Sequence, residues 1–384
     1  MKQGRERAPW ARLAAALALT AMAVLYLKHG DIAAEAVRRG LVLCAQTMIP
    51  SLFPFMVVAE LTVRSGVGQS LARPFVRLFG RLLGVTESGG CALVLGVLCG
   101  FPVGAKVAAS CYRSGTMDER ELNCVLGMCS VPSAAFLIGA VGKGLLGSAS
   151  VGKALLILTV CSALTVGLLL RLISFSHATP AVRQPRGVAV SNKWDASLLS
   201  ACISSAANGM LGICATVVVF SALIGVLEPY AQAIGLPEMA RAWIVGVLEL
   251  STGTVRAAAL PPTEAAVLCA AMAGWAGLSV HCQILSVCDG CPVSLGRFWI
   301  SRALQAALCG GGMWLLLRAG IVVLPCVPGV SPVGPAASES IGVQVWQSVC
   351  MVGFWAAVAV LMMNKTKGGG AREATKTAVA KNER

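Results

Sequence analysis

Blocks of apolar residues too long for a soluble core follow one another along this chain. Residues 10–27 are largely apolar behind a basic flank. The stretches 151–173, 295–323 and 341–363 each match the roughly 20 residues that a helix needs to cross a bilayer. No small-x-small cleavage site follows residues 10–27 before Asp31, so that segment is read as a first transmembrane helix and not as a signal peptide.

Polar connections divide the apolar body in two. Residues 174–193, SFSHATPAVRQPRGVAVSNK, carry Pro180 and Pro185 and show no helical period. Each half opens at an acidic N-cap candidate, Asp31 or Asp195, followed by an amphipathic helix that becomes strongly apolar. The predicted organisation is an N-terminus and first helix (1–30), a first repeat (31–173), a basic linker (174–194), a second repeat (195–325), a loop and last helix (326–363), and a basic tail (364–384).

Within each half the apolar pattern is interrupted twice. The first interruptions are GVLCGFPVG (96–104) and GVLELSTG (246–253), which share GVL and a glycine seven or eight residues on. The second are SVPS (130–133) and GLS (277–279). Backbone groups freed there cost several kcal/mol each in lipid, so the breaks must be buried in protein or line a wet cavity. Interrupted segments in matching positions of two halves point to a transporter's binding site. With broken and re-entrant segments included, the pattern predicts an all-α polytopic membrane protein of roughly eight to ten membrane elements.

Composition narrows the class further. Hydrophobic residues make up 57% of the 384 and charged residues 12%, which excludes a water-soluble enzyme. The net charge of +14 gathers around the membrane segments: Lys2, Arg5, Arg7 and Arg12 at one end, Lys365, Lys367, Arg372, Lys376, Lys381 and Arg384 at the other, and the linker between. Such flanking charge follows the positive-inside rule and places both termini and the linker in the cytoplasm, with no nucleic-acid partner. Most of the 16 cysteines lie in apolar segments and are read as small packing residues. The CDGCP run (288–292) lacks a second CxxC and is read as a turn, so no metal or cofactor is assigned. GSASVGKA (147–154) has the spacing of a phosphate loop but puts Ala154 where a hydroxyl must hold magnesium. It also follows no strand, and neither HExxH nor GxSxG occurs, so no enzyme is expected.

The runs IPSLFPFMVVAEL (49–61), ALVLGVLCGFPVGAKVAASCYRSG (92–115), AFLIGAVGKGLLG (135–147), GVLELSTGT (246–254) and GWAGLSVHCQILS (274–286) together resemble the YlbJ-type sporulation integral membrane proteins. That resemblance covers about residues 31–325. It implies two nucleoside-recognition (Gate) repeats, expected to be inverted, in a bacterial cell membrane. Gate domains also occur in concentrative nucleoside transporters and in the membrane part of ferrous iron transporter B, so a transporter-like architecture follows and a substrate does not. The chain departs from the pattern at CSVPS (129–133), where Asn-rich sequence is expected, and no ligand role is carried onto those residues.

Carboxylates at membrane depth are expensive and mark functional positions. Glu60 ends the SLFPF run, Glu249 sits inside GVLELSTG, and Lys106 follows GFPVG. The candidate solute or ion pathway is therefore Glu249 and Lys106, which are candidates to pair, with Glu60. Around them lie Gly100, Pro102 and Gly104 at one break, Ser251, Thr252 and Gly253 at the other, and His281 and Gln283 beyond it. The expected function is a sporulation permease for a small polar solute or ion. The alternative is a non-transporting scaffold for spore envelope assembly. Partners are the lipid bilayer, that solute, and other sporulation membrane proteins or a second copy of the chain.

Overall fold

The computed structural model describes residues 9–174 and 196–324. Most of the linker, the helix expected over 341–363 and the two basic ends lie outside the described residues. Among the described residues every regular element is a helix.

Helix α1 (Pro9–Lys28) precedes α2 (Gly30–Leu43), which passes through a π-helical turn (Cys44–Met48) into α3 (Ile49–Arg64) without a break. The widened turn falls where Pro50 has no N–H for residue 46 and its ring presses on that carbonyl. Asp31, read above as an N-cap, lies instead in the first turn of α2. His29 precedes the helix, and no side chain caps it. Short helices α4 (Val67–Phe75) and α5 (Arg81–Leu83) lead to α6 (Glu87–Cys99), which turns back by 107°. Next come α7 (Val103–Arg113), α8 (Glu119–Cys129), a π-helical stretch (Ala135–Leu145) and α9 (Ala149–Ser174).

The second half has fewer pieces. It consists of α10 (Ala196–Ala233), α11 (Glu238–Leu248), α12 (Leu250–Ala257), α13 (Pro262–Trp275), α14 (Leu278–Val287) and α15 (Leu295–Arg318). By length and composition α9, α10, the α13–α14 pair and α15 are able to cross a membrane, with the bent pair ending in α6 as a fifth candidate. This is a multi-pass membrane protein. The eight to ten elements expected from the pattern include short broken helices that do not reach crossing length alone.

The opening helices of the two halves pack against each other along most of their length. A methyl on Gly225 would stand 2.6 Å from the Ala36 side chain, and one on Gly40 would stand 3.1 Å from that of Ser221. Further along, Cys44 faces the Cys214 carbonyl at 3.8 Å, Met56 meets Gly209, and Glu60 accepts a hydrogen bond from Ser205. Residue numbers rise on α2 and α3 as they fall on α10, so the two run antiparallel. The α13–α14 pair is the most central, with 78% of its most apolar stretch buried against 33% for α9, α10 and α15. It joins one core to which both halves contribute, among them Leu137, Leu155, Leu268, Met272 and Met313.

Candidate functional site

The first break of each half is a helical hairpin closed by two glycines. A methyl on Gly104 would lie 2.7 Å from the Gly96 Cα, and one on Gly253 would collide with the Gly246 Cα in the same way. The shared GVL with a later glycine is therefore a contact between α6 and α7 in one half and between α11 and α12 in the other. Gly100 turns the first hairpin at φ 81°, ψ −178°, a region essentially closed to residues with a side chain, and Pro102 precedes α7.

The second break of each half packs on the first. Gly100 lies against Ser133, and the Phe101 N–H donates to the Val131 carbonyl at 2.9 Å. In the other half Gly277, also at φ 81°, lies against Leu250 and Glu249, and the Trp275 indole N–H donates to the Val247 carbonyl at 3.1 Å.

Side chains satisfy much of the remaining backbone. Glu249 is 2% exposed and forms the N-cap of α12: its carboxylate accepts the N–H of Ser251 at 3.0 Å and of Thr252 at 2.6 Å. The positive end of a helix stabilises a carboxylate there, which explains how this one tolerates burial. Ser251 and Thr252 thus meet Glu249 through their backbone N–H groups. His281 is buried between the rings of Trp275 and Phe298, and its Nε2–H donates to the Trp275 carbonyl at 2.8 Å, leaving Nδ1 without a hydrogen bond. Gln283 is buried on the same helix. Ser133 accepts the Phe136 N–H and so starts the π-helical stretch.

Two functional candidates escaped the sequence reading. Arg302 and Gln305 on α15 are fully buried, and they reach into the other half to the carbonyls that end α8. The Arg302 guanidinium donates to Gly127 at 2.5 Å and to Ser130, and the Gln305 amide donates to Gly127 at 2.5 Å. A cation at a helix C-terminus meets the negative end of its dipole. Arg302 was visible as a charge in an apolar helix; its target was not.

Lys106 and Glu249 do not pair. The Lys106 ammonium lies 2.8 Å from Glu60 and donates to the Ser205 carbonyl at 2.8 Å, while Arg64 holds the second Glu60 oxygen at 3.1 Å. This cluster lines a cavity of about 20 Å³, room for about one water, together with Met56, Val103 and Val107. The second half carries a comparable cluster: Arg256 on α12 grips both oxygens of Glu228 at 2.5 and 2.8 Å, with Arg241 at 3.3 Å. It borders a cavity of about 30 Å³. The CDGCP run is a turn held from the first half, where Arg113 donates to the carbonyls of Val287 and Asp289, and Asn123 donates to that of Pro292.

The chain is similar to the sporulation integral membrane protein YlbJ of Bacillus subtilis (strain 168), with 24% identity over 326 residues, which takes in 76% of this chain and 79% of that protein. It is a multi-pass integral membrane protein. A match of that extent exceeds either half alone, so the likeness to YlbJ involves both. No family model and no solved structure matches the chain.

Proposed function

We propose that this chain is a permease of the sporulation programme, moving a small polar solute or ion across a bacterial cell membrane by alternating access. The observation that carries the reading is the common build of the two halves. Each has an opening helix antiparallel to the other's, then a glycine-closed hairpin, then a second break packed on the first. That common build suits two inverted repeats, and transporters built from such repeats bind their substrate at interrupted helices. The sporulation part of the proposal comes from the relative's name, and cytoplasmic termini from the positive-inside pattern.

A second reading has its own support. Glu249, Arg302, Gln305 and His281 satisfy backbone groups at the breaks, so the breaks stand without a ligand, as a scaffold needs. Deletion in the native host, with timed microscopy and metabolite profiling of the spores, separates the two. A permease leaves spores depleted of, or overloaded with, one solute. Arrested envelope assembly at unchanged solute content, with partners that still co-purify after Glu249→Gln, supports the scaffold.

A further inference from the structure

The ion clusters at Glu60 and Glu228 occupy equivalent places. Each glutamate lies near the C-terminal end of its half's opening helix, α3 or α10. Each binds a cation from the helix that follows the first break of the same half, Lys106 on α7 or Arg256 on α12. Both clusters also fasten that helix to α10, since Lys106 reaches the Ser205 carbonyl and Glu228 belongs to α10 itself. From residue 205 to residue 228 a helix rises about 35 Å at 1.5 Å per residue. The hydrocarbon core of a bilayer is about 30 Å thick. That separation is enough to put the clusters at opposite faces of a membrane that α10 crosses, the Glu60 cluster on the side of the basic linker.

We infer that these clusters are two latches, one at each membrane face, each locking the post-break helix of one half against α10. Their purpose rests on the permease reading; their existence does not. All four paired side chains are between 14% and 25% exposed, so the charges are largely withdrawn from solvent yet lie close enough to a face to be rehydrated when they separate. Parting either pair frees one hairpin and leaves the other held, which is the asymmetry that alternating access requires.

The test reads thiol accessibility and needs no substrate. Val107→Cys and Val245→Cys, each 4% exposed and each lining one of the two cavities, serve as reporters in vesicles of the full chain with native thiols replaced. Lys106→Gln is expected to raise labelling of the first reporter roughly tenfold, the change that about 1.4 kcal/mol produces, from the linker side only. Arg256→Gln is expected to raise labelling of the second from the opposite side only. If Lys106→Gln fails to fold, Glu60→Gln with Lys106→Met removes both charges, takes a partner only from the 43%-exposed Arg64, and must give the same one-sided labelling. Opening of both reporters from one face, or unchanged labelling in folded variants, overturns the inference. One-sided labelling in a chain that moves no solute keeps the latches and rejects the permease. Flux with unchanged labelling does the reverse.

Discussion

Glu249 and Arg302 are buried charges, and among the described residues neither meets an opposite charge in an ion pair. Each is matched instead to a helix end, the carboxylate to the N–H groups that open α12 and the guanidinium to the carbonyls that close α8. This division has consequences for substitution. Removing Arg302 strands the Ser130 carbonyl in the core and leaves that of Gly127 to Gln305 alone, and each hydrogen bond to a charged group is worth about 1.5–3 kcal/mol. Arg302→Ala should therefore cost about 3 kcal/mol or more, read as a lowered thermal midpoint in detergent. A variant as stable as the parent would mean that other groups hold those carbonyls. Glu249→Gln retains one acceptor oxygen, so its cost should stay near the 1 kcal/mol typical of a lost cap.

At the scale of elements, the glycine hairpins set how closely the broken helices approach. Gly104→Ala and Gly253→Ala each push a methyl into the backbone of the facing helix, and overpacking of that kind costs about 1–3 kcal/mol. Gly212 on α10 has nothing within 4 Å of an added methyl, so Gly212→Ala should be neutral or stabilising by up to about 1 kcal/mol. Equal losses at all three positions, measured by thermal unfolding, would remove the hairpin contacts from the account. These elements were legible in the sequence because glycine, proline and apolar run length act locally. The positions of the breaks, the closing helices and the GVL spacing could all be read there. The pairing of charges was not legible. Lys106 finds Glu60 and Arg256 finds Glu228 only after α3, α7, α10 and α12 have packed, and nothing local to GFPVG or LSTG distinguishes those partners from Glu249. Arg302 escaped for the same reason, since the carbonyls it caps belong to the other half.

At the scale of the molecule, the described residues form antiparallel opening helices, a hairpin in each half, and one core to which both halves contribute. The functional claim is that solute passes between those halves at the breaks, with Glu249 at one of them. Uptake by proteoliposomes carrying the purified chain, screened over nucleosides, amino acids, metal ions and protons, measures that passage directly. The account expects flux of one such class in the parent chain and its loss in Glu249→Gln reconstituted at equal folded yield. Absence of flux for every class, or undiminished flux in Glu249→Gln, would contradict it.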